Sequence, residues 1–342
     1  MRYKGAICCF AWRAHLDHWN DMVIETAAEL GWPIFISPQA IPPAGWIWKA
    51  VKRGVRFHIA RNSLLKNLKI ETLLCFNGRF EWQKPVISSA ETVYYFETGP
   101  LYQSIIIDRG LGEQSGFREQ LPGLLSNIEP DLDWIESYKQ GQKTKYPEDQ
   151  NGSVKIDNYV AVPLQSGRDR QIINDSEVTV RGFVHEVSVA AKETGVRVVF
   201  KPHPRDLESD HISWVLRQYV DNQIIFLSTA AIGDFLQKSN WVCTINSGST
   251  IDAFFHGKQV LQRGFSLYDQ SDSLIFARDI AAGFRKLQDE AVGIRQRRVL
   301  QQLKLLTWLK SEYLYGFEQT GKPTADGFLN HFDKIKNRLA DG

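Results

Sequence analysis

Long apolar runs are missing from this chain. Nothing in its 342 residues approaches the roughly 20 apolar residues that a membrane span needs, so no transmembrane helix is expected. The apolar run behind Met1-Arg2-Tyr3-Lys4 stops near Trp12, too short for the core of a secretory signal with its cleavage site. Cysteine is scarce, with four in all. Cys8 and Cys9 are adjacent in a strand-like apolar run, which favours buried thiols over a disulfide framework, and no Cys-x-x-Cys pair is there to hold zinc. A reducing cytoplasm is the expected compartment. The net charge of +2 leaves no global bias towards nucleic acid or membrane, so nucleic acid is not an expected partner and any electrostatic attraction must be local.

Several signatures are also absent. Gly110-Leu111-Gly112 lacks the third glycine of the dinucleotide fingerprint, which argues against a nicotinamide cofactor. No Gly-x-Ser-x-Gly nucleophile elbow occurs. His15 and His18 fit one helix face, but no further ligands accompany them, so no metal is expected.

What is present is an ordinary globular composition, 43% hydrophobic and 23% charged. A prior of roughly 100–200 residues per domain points to two domains. Gly5 to Trp12 reads as a strand, Leu16 to Leu30 as a helix stopped by Gly31, and Pro33 to Ser37 as a second strand; 38–45 is a loop by composition. Further apolar runs follow at Leu73 to Phe76, Val93 to Phe96 and Ser104 to Ile107. The polar stretch from Gln140 to Asp157 is the expected linker. A clearer α/β series begins after it, with strands at Tyr159 to Leu164, Arg197 to Pro202, Gln223 to Leu227, Trp241 to Ile245 and Val260 to Arg263, separated by helical stretches. The expected fold class is α/β, two doubly wound, Rossmann-like domains facing a cleft: 1–150, 158–290, and helices in 291–342 that return to the first domain. A long helix from Val292 to Leu314 is part of that tail.

The candidate chemistry sits at the carboxyl ends of the expected strands, where an open α/β sheet binds its ligand. Lys201-Pro202-His203-Pro204 closes one strand, and the prolines present the imidazole of His203 instead of burying it in a helix. A protonated His203 can donate to a phosphate oxygen and assist departure of a nucleotide. Asn246-Ser247-Gly248-Ser249-Thr250 leaves another strand and opens a short helix, offering hydroxyls, a small residue for close backbone approach and free N–H groups, which suits an anionic phosphate. Asp169 follows a third strand, between Arg168 and Arg170, and is placed as a nucleophile or electrostatic stabiliser. Glu97 ends a strand of the first domain, where a general base or sugar-hydroxyl ligand is needed. From Trp46 to Lys69 there are seven basic residues and no acidic ones, interleaved with Trp46, Trp48, Val51, Val55, Phe57 and Ile59. That stretch is the expected peripheral contact with anionic glycan or with lipid head groups at the inner face of the plasma membrane.

On these residues the chain resembles the bacterial capsular-polysaccharide biosynthesis family, specifically its β-linked Kdo transferases that use a CMP-sugar donor. The similarity runs in order over roughly residues 77 to 270. It is carried by Phe96-Glu97-Thr98-Gly99-Pro100-Leu101 with Ser104 to Gly110, by Leu164-Gln165 with Gly167-Arg168-Asp169, and by Phe200-Lys201-Pro202-His203-Pro204. Asn246 to Ala253, Gly257-Lys258-Gln259-Val260 and Tyr268 complete it. Asp252 stands where the family usually has Glu, and Gln259 where it usually has Pro. The resemblance implies a GT-B architecture with CMP held chiefly by the C-terminal domain, a nucleotide-sugar donor, a glycan or glycolipid acceptor and no metal. By position, His203 contacts the CMP phosphate, Ser247 and Ser249 help bind the nucleotide, and Asp169 is the catalytic carboxylate of a retaining double displacement. Glu97 then deprotonates or orients the acceptor hydroxyl. Two other readings stay open: a UDP-sugar-dependent transferase or epimerase on the same architecture, and a non-catalytic glycan-binding assembly protein.

Overall fold

The computed structural model describes residues 2–9, 17–38, 44–60, 67–78, 80–141, 154, 156–167, 169–204, 210–221, 223–316 and 322–341. Two compact units emerge from it. The first holds Met1–Gly116 and Glu312–Gly342, the second Phe117–Ser311.

In the first unit, β1 (Arg2–Cys9) begins polar and turns apolar, and its last five residues are buried. It lies between β2 (Ile34–Ile36) and β4 (Lys69–Phe76), and β3 (Phe57–Ile59) adds one edge. Beyond β4 come β5 (Ala90–Thr98), the antiparallel β6 (Ser104–Asp108) and β13 (Leu314–Gly316). Helix Ala325–Asp341 covers this end of the sheet, its Phe332 and Phe328 packing edge-on against Tyr94 and Phe96 at 5.0 and 5.6 Å.

The second unit is a six-stranded parallel sheet in the order β12-β11-β10-β7-β8-β9. Its strands are β7 (Val160–Pro163), β8 (Val198–Lys201), β9 (Ile225–Leu227), β10 (Trp241–Thr244), β11 (Gln259–Gln262) and β12 (Ile275–Phe276). Burial on both faces explains why β7, β8 and β11 read as runs and not as alternations. Helix Val180–Thr194 covers one face. Its start is capped by Thr179, which accepts from the Gly182 N–H, and its end by Gly195 at φ 68°. The order matters for function: β8 and β9 are laid down on one side of β7, and β10 to β12 on the other. The direction of winding reverses between β7 and β10, which places the ligand crevice at the carboxyl ends of those two strands.

Two expectations about organisation need correction. The boundary between units falls at Gly116/Phe117, upstream of the polar stretch Gln140–Asp157. The intervening helices Leu121–Ser126 and Leu132–Gln140 belong to the second unit, because Tyr138 stacks on Phe255 at 4.7 Å and Lys304 Nζ donates to the Leu125 carbonyl. Of that polar stretch, residues 142–153 and 155 lie outside the described set. The tail is also not one helix to Leu314. It runs as an α-helix from Val292 to Trp308 within the second unit, widens into a π-turn at Leu309–Tyr313, and enters the first unit as β13.

Candidate active site

Gln165 stands two residues past the end of β7, and it is 5% exposed. Its Nε2 donates to Asn246 Oδ1 at 3.0 Å and to Asp169 Oδ2 at 3.2 Å, while its Oε1 accepts the Asn246 N–H at 3.2 Å. Thus the carboxyl ends of β7 and β10 are tied by one buried amide at the point where the sheet changes direction. Asn246 completes the knot by donating through Nδ2 to the carbonyls of Gln171, Asp175 and Phe265. Gly264 makes room for it: a Cβ there would come within 2.9 Å of Ile245 Cγ2 and 3.4 Å of Asn246 Nδ2. Asn246 is therefore a buried positioning residue whose polar atoms are spent inside the protein.

Asp169 caps helix Arg170–Asp175, accepting from the Gln171 N–H at 2.9 Å through Oδ1. Among the described residues each carboxylate oxygen accepts one hydrogen bond, and the two together hold the group in one orientation. Its described polar partners are a main-chain N–H and a glutamine amide. Arg168 and the side chain of Arg170, which the sequence places beside it, lie outside the described residues.

The turn after β10 differs in part from expectation. The N–H of Ser249 is engaged by Ser247 Oγ, that of Thr250 by the Ser247 carbonyl and that of Ile251 by the Gly248 carbonyl, so these three are not free for a phosphate. Thr250 is wholly buried and its hydroxyl pairs with that of Thr244 at 3.1 Å, which makes it part of the helix seat. Ser247 and Ser249 are linked to each other, Oγ to Oγ at 3.2 Å, and present the turn's remaining hydroxyl capacity. Gly248 has an ordinary right-handed φ of −56°, and no atom lies within 4 Å of where its Cβ would be. Its contribution is open space above the helix start.

On the other side of β7, Lys201 closes β8 opposite Pro163, and its carbonyl accepts the Leu164 N–H at 2.9 Å. Lys201 is 8% exposed; His203 and Pro204 are half-buried. The carboxyl ends of β10, β7 and β8 are neighbours, which brings Ser247 and Ser249, Asp169, and Lys201 and His203 to one end of one sheet. Glu97 is half-buried near the end of β5, in the first unit. Lys258, part of the Gly-Lys turn, sits at the amino end of β11 and donates to the carbonyls of Gln237 and Ser239, so it fastens the opposite end of the sheet.

Sequence reasoning missed the linking role of Gln165. A polar residue two positions after a wholly apolar strand is its only local trace. The bidentate pair Arg118–Asp269, at 2.9 and 3.0 Å, also went unread; Asp269 further accepts the Ser266 N–H and so shapes the loop after β11. Tyr268 in that loop has its phenol pushed up by burial, with Asp252 and Asp269 adding to it, and stays protonated. Depressions of about 390 and 360 Å³ lie elsewhere, one beside Trp241, Gly257 and Arg295 at the amino ends of β10 and β11, the other along His185, Glu186 and Val189. Among the described residues, no group of three or more His, Cys, Asp or Glu is placed to hold a metal ion.

With this geometry in hand, comparison with known proteins finds a family match over part of the chain. Residues 134–272 match the model of the capsule polysaccharide biosynthesis protein family. The matched segment contains Asp169, Lys201, His203 and the Asn246–Thr250 turn, and bears out the resemblance drawn from those motifs; Phe96 to Gly110 lie before it. No curated protein matches the chain. Among solved structures, a β-Kdo 2,4 transferase, KpsC of Thermosulfurimonas dismutans, is 14% identical with a TM-score of 0.51, covering 95% of this chain and 97% of its own. A β-Kdo 2,7 transferase of the same organism is 16% identical with a TM-score of 0.48, covering 79% and 89%. A UDP-GlcNAc 2-epimerase of Methanocaldococcus jannaschii, solved with UDP-GlcNAc and UDP, is 10% identical with a TM-score of 0.34, covering 90% and 100%. The fold is that of GT-B glycosyltransferases, and the segment that matches the capsule polysaccharide biosynthesis model lies within the second unit.

Proposed function

We propose that the protein transfers Kdo from CMP-Kdo to a surface-polysaccharide or glycolipid acceptor with retention of anomeric configuration. The observation that carries this reading is the Gln165 bridge, which holds a carboxylate, Asp169, beside the hydroxyl-bearing turn after β10 at the switch point of the sheet.

In this reading CMP lies across the carboxyl ends of β10, β7 and β8. Ser247 and Ser249 bind the nucleotide, and Lys201 and His203 meet the phosphate, with Pro204 shaping the loop. An oxygen of Asp169 attacks the anomeric carbon; the bond to the CMP phosphate breaks, its electron pair leaves on the phosphate, and His203 donates a hydrogen bond to that oxygen. The acceptor hydroxyl then attacks the glycosyl ester, Glu97 takes its proton, and the Asp169 carboxylate is released. Two inversions leave the configuration unchanged. Protein cations carry the leaving charge, and transfer is expected to persist in EDTA.

The deciding experiment is turnover of CMP-Kdo by Asp169→Asn, with the configuration of the parent's product assigned by NMR. Transfer should fall by roughly 10³-fold or more, as loss of a covalent nucleophile demands. Undiminished transfer, or an inverted product, removes the double displacement.

A further inference from the structure

The basic and aromatic stretch that starts at Trp46 has no part in the site above, and its helix is unusual for a protein surface. Helix Ala44–Lys52 turns Trp46 and Ala50 inward, and Trp46 packs on Phe57 of β3 at 4.9 Å between rings. At about 100° per residue, Ile47, Trp48, Val51 and Lys52 share the opposite arc. Trp48 and Val51 are each 62% exposed. A surface helix ordinarily points charged groups outward; this one points an indole and a valine.

The charges around it are unequal. Lys49 and Arg53 are paired with Asp21 and Glu25 of helix Asp17–Leu30. Lys52 and Arg56 meet no carboxylate among the described residues, and no Asp or Glu occurs between Trp46 and Lys69. Lys52 Nζ lies 3.5 Å from the centroid of the Trp48 ring, and Arg56 lies 5.9 Å from that of Tyr3. Two cations with no carboxylate partner among the described residues therefore border an exposed apolar arc, on the edge of the sheet that β3 forms.

We propose that this face, Trp48, Val51 and Lys52 with Arg56 beside it, docks the protein on an anionic phospholipid surface. An indole with its apolar body and polar N–H suits the head-group boundary, Val51 adds apolar area, and the cations pair with lipid phosphates. Lys52 already covers one face of the indole, which leaves less of the ring for stacking against a sugar and favours lipid over a free glycan. With two such cations the association is weak, reversible and salt-sensitive. It does not depend on the transfer reaction.

The test is sedimentation of the full chain with vesicles of phosphatidylcholine alone, or doped with phosphatidylglycerol and free of glycan. Binding should require phosphatidylglycerol and weaken with added salt. Lys52→Glu with Arg56→Glu should lower the partition coefficient by at least about 25-fold, from about fivefold for each cation lost. Trp48→Ser with Val51→Ser should also lower it, and circular dichroism melts should match the parent because these side chains face solvent. The proposal is overturned by absence of binding to the doped vesicles, by undiminished binding in both variants, or by capture on immobilised alginate as strong as that on vesicles.

Discussion

Asn246 and Asp169 are both hydrogen-bonded to Gln165, yet they answer to different demands. Asn246 is 5% exposed and serves three main-chain carbonyls. Asn246→Ala strands those acceptors together with the Gln165 amide, and is expected to cost about 2–4 kcal/mol, read as a lower urea midpoint at unchanged m-value. Asp169 instead caps a helix, and asparagine caps almost as well. Asp169→Asn keeps the cap but gives up the bond from Gln165, at about 1 kcal/mol, while Asp169→Ala loses cap and bond together, roughly 2 kcal/mol. Equal destabilisation by Asn and Ala at 169 would show that the carboxylate has a structural role beyond the cap. The candidate residues themselves were legible because polar groups at strand ends stand out from apolar runs. Their division into Ser247 and Ser249, whose hydroxyls pair with each other at the turn, and inward-facing Asn246 and Thr250 was not, since alternation breaks down where a strand becomes a turn.

At the scale of elements, the turn entering β9 contributes acid sensitivity. Asp221 Oδ1 accepts the N–H groups of Gln223, Ile224 and Ile225 at 3.0, 2.9 and 2.9 Å. Burial pushes this carboxyl up, but the three N–H bonds, with Lys192 nearby, outweigh it and bring the value down to about 2. The folded value lies below the unfolded one, so the unfolded chain binds more protons between them. The stabilisation is complete above the usual carboxylate range and is lost as pH falls towards 2. Asp221→Asn should flatten the acid limb of stability against pH, and the gap between variant and parent should close below about pH 2. A constant gap across that range would mean that the N–H bonds survive protonation. Helix Ala44–Lys52 falls at the same scale: composition marked it as basic and aromatic, but its outward apolar arc depends on which face the sheet had already taken.

At the scale of the whole molecule, the two units have separate cores, and the nucleotide reading assigns the donor to the second. CMP at a hundred times its dissociation constant would add about 2.7 kcal/mol to the unit that binds it. Calorimetry should show the transition of residues 117–311 rising with CMP while that of the first unit stays in place. Stabilisation by UDP and not by CMP would overturn the cytidylate donor.

The succession of apolar runs and Gly or Pro breakers was enough to establish a tandem α/β protein with polar clusters at its strand ends, because those signals are local. The Gln165–Asn246 bridge joins positions 81 apart. The unit boundary at Gly116/Phe117 follows from aromatic packing of Trp134 and Tyr138 on Phe255. The return of the tail as β13 follows from its antiparallel pairing with β6. Each of these is a contact between distant segments, chosen by packing and hydrogen-bond satisfaction in the folded chain, and no neighbouring residues encode it.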